Sequence, residues 1–209
     1  KDQSYVLFGI QRDYLKRMLL PVGHFEKPTI RKIAGQIGLN VADKKDSQEI
    51  CFVTSGHHGD FVRARQSGHD TSGNFVTTDG TVVGQHPGIE TFTIGQRKGL
   101  GIALGEPYFV VRIDPETNDV VLGRKPELGR LELTASDTHW LIDPVLNESG
   151  SFRCLAQIRY NSTAEPATAW LGDHGLQIRF DEPQNGVAPG QAVVCYDGNR
   201  VLGGGWIDS

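Results

Sequence analysis

The 209-residue sequence carries 21 Lys and Arg against 25 Asp and Glu, for a formal net charge of −4, and 38% of its residues are hydrophobic. That content suffices for the ordinary cores of one large domain or two small ones and excludes a disordered chain, while the acidic balance excludes a uniformly basic nucleic-acid binder but leaves room for a local basic patch. No apolar run approaches the roughly 20 residues needed to cross a bilayer, so no membrane partner is expected.

Three cysteines, Cys51, Cys154 and Cys195, are odd in number, widely spaced and without metal-ligand spacing. They fit a reducing compartment, the cytoplasm, better than a disulfide framework. The 26 glycines and 10 prolines punctuate the chain into short segments, which points to a mainly β protein.

Residues 1 to about 42 read as helical. Tyr5, Leu7 and Phe8, then Tyr14, Leu15, Met18 and Leu19, recur at helix-like spacing before Pro21. A second helix begins near Pro28, carries Ile30, Ile33, Ala34 and Ile37 on one face, and ends at Gly38. The terminal Lys1, Asp2 and Gln3 have two readings: a solvated end, or a lysine for phosphate beside an acid and an amide for a base edge.

The stretch Lys44-Lys45-Asp46-Ser47-Gln48-Glu49-Ile50-Cys51-Phe52-Val53 passes from charged to apolar at its cysteine. Lys44 and Lys45 would favour the thiolate form of Cys51, the form that does chemistry, and Asp46 and Glu49 would oppose it. The other reading is a short buried strand in which Cys51 is a small hydrophobe. From Val53 to Gln66 a loop and short helix are expected, with His57, His58, Asp60, Arg63 and Arg65. The paired histidines are not assigned to a metal, because adjacent residues diverge on a helix and no fourth ligand has zinc spacing.

Residues 67 to 128 predict a small β module with strands at Asn74 to Thr78, Thr81 to Gln85, Glu90 to Ile94, Tyr108 to Ile113 and Asp119 to Gly123, the last two joined by the turn Asp114-Pro115-Glu116-Thr117-Asn118. Thr93 to Ile102 forms a glycine-rich loop holding Arg97 and Lys98. Either the loop is tight, with glycines at positive φ, or it lets backbone approach RNA while Arg97 and Lys98 meet phosphate. After a linker around Lys125 to Arg130, strands are expected at Leu131 to Leu141, Ser151 to Tyr160, Ala167 to Leu171, Leu176 to Phe180, Gln191 to Tyr196 and Arg200 to Asp208, a set that closes naturally into a six-stranded antiparallel barrel. Cys154 and Cys195 read as barrel core. At a strand end, Arg159-Tyr160 is either a rim pair or a phosphate and base-stacking pair.

Several of these words resemble one family. Lys1-Asp2-Gln3-Ser4-Tyr5, Leu20-Pro21-Val22-Gly23, Lys45-Asp46-Ser47-Gln48-Glu49-Ile50-Cys51-Phe52, Thr93-Ile94-Gly95-Gln96-Arg97-Lys98-Gly99-Leu100-Gly101-Ile102, Ala188-Pro189-Gly190-Gln191-Ala192-Val193 and Leu202-Gly203-Gly204-Gly205 look, in order, like the tRNA-specific 2-thiouridylases. The cysteine word and the Gly-Gln-Arg-Lys-Gly word are the specific ones.

The resemblance implies a division into 1–66, a helical remnant of an ATP pyrophosphatase-like domain with the cysteine loop; 67–128, a central β domain; and 129–209, a barrel like the second domain of translation elongation factors. It further implies that Cys51 carries a persulfide and that Lys1, Asp2, Gln3, Arg159, Tyr160 and Gln191 touch tRNA. The enzyme would use ATP with Mg2+ to activate the C2 oxygen of the wobble uridine. Its partners would be the tRNA anticodon stem-loop and a sulfur donor, either a cysteine desulfurase or a relay carrier. The glycine-rich phosphate loop and second cysteine of the family's ATP domain have no counterpart in the sequence. The expectation is therefore a C-terminal portion that binds no ATP and is inactive alone. An older methyltransferase label attaches to this family, but no methyl-donor site is readable. The competing readings are a non-catalytic RNA-binding module with a structural Cys51, and a rhodanese-type persulfide carrier.

Overall fold

The structure, a computed structural model, describes residues 3–40, 70–172 and 175–208. Cys51, Lys1, Asp2 and the His57, His58, Asp60, Arg63, Arg65 segment lie outside the described residues.

Among the described residues, ten strands fall into two sheets. In the first, β1 (Gly73–Thr77), β2 (Val82–His86), β3 (Phe109–Asp114) and β4 (Asp119–Gly123) lie in the order β2-β1-β4-β3, with β1 and β4 parallel and the other pairs antiparallel. Its core is Phe75, Leu100, Val110, Val120 and Leu122. Phe75, His86 and Phe92 pack edge to face with centroids 5.1 to 5.2 Å apart. His86 is buried there, its Nε2 donating to the Asn118 carbonyl at 3.0 Å while Nδ1 has no partner.

The second sheet is a closed barrel of β5 (Gly129–Trp140), β6 (Ser151–Gln157), β7 (Glu165–Gly172), β8 (Gly175–Asn185), β9 (Ala192–Asp197) and β10 (Arg200–Ile207), in the order β10-β5-β8-β7-β6-β9. All its pairings are antiparallel, as expected. Period-two patterning drives the closure: Leu176, Ile178 and Phe180 on β8 and Phe152, Cys154 and Ala156 on β6 point into one core. At Gly204 a Cβ would fall 2.1 Å from the Val193 carbonyl oxygen, so β10 can lie this close to β9 only with glycine there.

β9 is buried on both faces. Cys195 and Val193 face the barrel interior, whereas Ala192, Val194 and Tyr196 are covered by Tyr5 and Phe8 of the N-terminal segment. This double burial explains the unbroken apolar run Ala192-Val193-Val194-Cys195-Tyr196. The covering segment is where the helical expectation changes: it forms two 3-10 stretches, Ser4–Leu7 and Arg12–Arg17, in place of one α-helix. In 3-10 geometry residues three apart eclipse, which suits Tyr5 and Phe8, whose rings share the β9 surface. The Tyr5 hydroxyl donates to the Ala192 carbonyl at 2.7 Å, and burial pushes its pKa up to about 12, keeping it a donor.

The helix expected from Pro28 is α1 (Lys27–Gln36), ended by Gly38 at φ 72° with the Leu39 amide reaching the Ala34 carbonyl. Its Ile33 and Ile37 are exposed.

Two further expectations change. Glu90 to Ile94 is not a strand; Ile89–Thr91 is a 3-10 turn. There the Thr91 hydroxyl donates to the Gly88 carbonyl, and Glu90 accepts from Thr71 at 2.6 Å. Local side-chain bonds displace the ladder. The expected linker 125–130 is likewise structured: Lys125–Leu128 is a 3-10 turn and β5 already begins at Gly129.

Burial lowers the pKa of His86 below the ordinary 6.5, outweighing the Asn118 bond and nearby Asp119 and Glu90, which raise it. The folded state therefore binds fewer protons than the unfolded one, and the neutral-ring contribution is complete above the ordinary value and is lost as pH falls below it. The urea midpoint should drop between about pH 7.5 and about pH 5.5, and His86→Gln should remove most of that drop. An equal drop in the variant would assign the effect elsewhere.

Candidate nucleic-acid interface

The chain leaves β6 at Gln157 and turns sharply, and the turn is built by that side chain. Gln157 Nε2 donates to the carbonyls of Arg159 (2.9 Å), Tyr160 (3.3 Å) and Ser162 (2.9 Å), while its Oε1 accepts from the Tyr196 hydroxyl at 3.0 Å. Ser162 Oγ closes the turn against Arg159. Gln157 thus orients Arg159 and Tyr160, a role that sequence reading missed; the polar turn residues Asn161-Ser162 were its only local signal.

Tyr160 packs its ring against Tyr5 with centroids 6.3 Å apart, and its hydroxyl accepts from Gln3 Nε2 at 2.8 Å. Two of the residues singled out in the sequence, 157 positions apart, are therefore in direct contact.

Arg159 faces the other way. Its Nε donates to the Gly186 carbonyl at 2.9 Å and its Nη2 to the Ile94 carbonyl at 2.8 Å. Gly186 has φ 83°, and a Cβ there would lie 3.0 Å from Nη2, so the guanidinium sits in a slot that glycine leaves open. Arg159 is thus a bridge from the barrel to the loop that carries Arg97 and Lys98.

That loop is itself tightly wound, as one of the two sequence readings had it. Gly95, Gly99 and Gly101 have positive φ; Gln96 Oε1 accepts from the Thr93 amide at 3.0 Å and Nε2 donates to the Lys98 carbonyl at 3.0 Å. The Gly95 amide bonds the Val110 carbonyl at 2.7 Å, tying the loop to β3. Arg97 and Lys98 are exposed. Gln191 is also exposed, on the far side of Tyr5, at a 610 Å³ cleft that Tyr5, Phe8, Gly190 and Trp206 help to line. A second cavity of 540 Å³, on the β5, β7 and β8 side of the barrel, contains none of these residues.

Cys154 and Cys195 are free, buried thiols in the barrel core. Contact with Cys154 and complete burial push the Cys195 thiol well above the ordinary value, so it is not a nucleophile. Among the described residues no group of three or more His, Cys, Asp and Glu could hold a metal. A triphosphate needs a cradle of backbone N–H donors before a helix, whereas α1 opens on Glu26-Lys27-Pro28, with proline in its first turn.

Replacing Arg159 by Ala should release the 93–101 loop. Amide exchange at Gly95 is expected to quicken about 10-fold, the loss of roughly one charge-assisted hydrogen bond, with the barrel amides of β8 unchanged. Unaltered exchange at Gly95 would mean that β3 alone holds the loop.

Three family models match the chain in sequence: residues 1–55 match a tRNA methyl transferase HUP domain, residues 60–124 a tRNA methyl transferase PRC-barrel domain and residues 130–207 an Aminomethyltransferase beta-barrel domain. Similar curated proteins are named tRNA-specific 2-thiouridylase MnmA. That of Rhodopirellula baltica is 54% identical over 99% of this chain and 53% of its own length. That of Carboxydothermus hydrogenoformans is 46% identical over 100% of the chain and 57% of the relative, and that of Salinibacter ruber 45% identical over 99% and 55%. The chain spans about half the length of the curated relatives it matches. With all three models matched in order and nearly every residue aligned at this identity, the chain belongs to the tRNA-specific 2-thiouridylase family.

Proposed function

We propose that the chain is the sulfur-carrying and tRNA-supporting part of a tRNA-uridine 2-sulfurtransferase, which replaces the C2 oxygen of the wobble uridine by sulfur. The observation that carries this reading is the contact of Gln3 with Tyr160 on the barrel, with Arg159 of the same turn bracing the loop of Arg97 and Lys98 from the neighbouring sheet. Three stretches far apart in sequence are joined here, Gln3 to Tyr160 and Arg159 to the 93–101 loop, and the polar and aromatic residue types of this rim suit an unpaired loop of RNA.

In this reading Arg97 and Lys98 meet phosphates, Gln3 and Gln191 offer amides to base edges, and Tyr160 supplies an aromatic edge; Lys1 and Asp2, outside the described residues, are proposed as further tRNA contacts. Arg159 acts by holding the 93–101 loop. An anticodon loop presents its bases unstacked, which a duplex would not. Cys51 receives sulfur from a cysteine desulfurase or a relay carrier as a persulfide. The C2 oxygen, a poor leaving group, is first adenylated with ATP and Mg2+, with loss of pyrophosphate. The terminal persulfide sulfur then forms the C2–S bond, the C2–O bond breaks with release of AMP, and a second thiol closes on Cys51 as the S–S bond opens. Residues 1–66, 67–128 and 129–209 are the units proposed for these tasks, and ATP binding is assigned outside this chain. The cytoplasm, where tRNA and reducing thiols coexist, is the compartment that this chemistry requires.

The second reading, an RNA-binding module with a structural Cys51, draws on the same contacts among the described residues. Intact mass after treatment with a cysteine desulfurase and cysteine separates the two. A gain of about 32 Da that Cys51→Ser abolishes is expected, with no ATP hydrolysis by the chain alone. No gain, together with a Cys51 inert to alkylation, would favour the structural cysteine.

A further inference from the structure

The cleft beside Gln191 has a floor and a wall that the reading above does not use. Trp206, on β10, is 48% exposed, a large apolar ring left half open to solvent. It is not loose: Phe8 abuts it edge to face, with centroids 5.9 Å apart, and holds its plane. Opposite Trp206 on β5 is Ser136, and between Ser136 and His139 the β5–β10 register slips, so that β5 carries an extra residue. At this bulge Asp137 adopts φ 45°, one of two non-glycine residues with positive φ among the described residues. Bulges re-aim side chains, and a left-handed Asp in a strand is an uncommon conformation that the surrounding structure must hold. Here it turns Asp137 into the cleft that Trp206 lines, where its exposed carboxylate has no partner among the described residues. His139, Gly190 and Gln191 complete the lining; His139 is engaged, donating from Nε2 to the Ile10 carbonyl at 2.7 Å.

Neither lysine nor arginine lines the cleft among the described residues, and its one charged group is negative. A phosphate is therefore disfavoured, and a flat ligand bearing N–H donors is favoured. We propose that this cleft takes one unpaired nucleobase of the bound tRNA, stacked on Trp206 with an N–H edge donating to Asp137. The proposal rests on the RNA-binding reading above, since the cleft adjoins Gln191 and shares Tyr5 with the Gln3–Tyr160 contact. Stacking supplies affinity without sequence choice. The carboxylate supplies the choice, accepting from bases with amino or imino N–H groups on the presented edge.

The test is titration of a fluorescein-labelled anticodon stem-loop RNA with the whole chain, followed by anisotropy at several salt concentrations. Trp206→Ala should weaken binding about 10-fold and Trp206→Phe should restore most of it, with the slope of log K against log salt unchanged, because no phosphate contact is removed. Arg97→Ala and Lys98→Ala should each lower that slope by about 0.7. Asp137→Asn separates base from phosphate: weaker binding supports an N–H edge on the carboxylate, whereas tighter binding would mean that Asp137 repels a phosphate and would overturn the proposal. Wild-type affinity in both Trp206→Ala and Asp137→Asn, with the Arg97 and Lys98 effects present, would overturn the base site alone. Failure of the unsubstituted chain to bind the RNA would instead overturn the RNA-binding reading and the site with it.

Discussion

Barrel closure is the constraint from which the remaining structure follows. A six-stranded sheet leaves no unpaired edge only if β9 and β10 lie side by side and β10 also reaches β5, and that close approach is possible because Gly203, Gly204 and Gly205 present no Cβ to their neighbours. Once the sheet is closed, the outer face of β9 still presents an apolar surface. Tyr5 and Phe8 cover it, and this draws the N-terminal segment across the barrel and sets Gln3 beside Tyr160. The rim is thus a consequence of how the barrel is sealed.

The rim is held by side-chain hydrogen bonds to backbone carbonyls more than by ion pairs. The ion pairs of the described residues, such as Arg153 with Asp181 and Arg124 with Glu106, are exposed, and pairs of that kind contribute little. By contrast Gln157, half-buried, satisfies three carbonyls and a tyrosine hydroxyl, and Arg159 satisfies two carbonyls from different loops, Gly186 just after β8 and Ile94 in the 93–101 loop. Leaving such carbonyls unpaired would cost more than the bonds themselves contribute. That asymmetry gives the turn and the 93–101 loop defined shapes.

Membership of the tRNA-specific 2-thiouridylase family agrees with this architecture and also divides the problem. The sulfur transfer proposed for Cys51 and the RNA contacts proposed for the rim are distinct tasks. The apolar residues left exposed on α1, Ile33 and Ile37, are of the kind that normally lie against other protein.

Local chemistry alone determined most of the strands, most turns and the antiparallel barrel. Alternation in Leu176 to Phe180, the turn Asp114-Pro115-Glu116-Thr117-Asn118, Pro28 and Gly38 around α1 and the glycines of the 93–101 loop each act within a few residues, and so they could be read without the fold. Tertiary structure decided the rest. The 3-10 form of Ser4–Leu7 follows from two rings landing on β9, the turn at Ile89–Thr91 from the Thr91 hydroxyl on Gly88 and the Glu90 carboxylate meeting Thr71, and the bridging role of Arg159 from carbonyls 27 and 65 residues away. Trp206 and Asp137 had no signal in the sequence at all. An exposed ring and a bulged acid acquire meaning only when strands far apart in the chain meet, and no periodicity records which strands will meet.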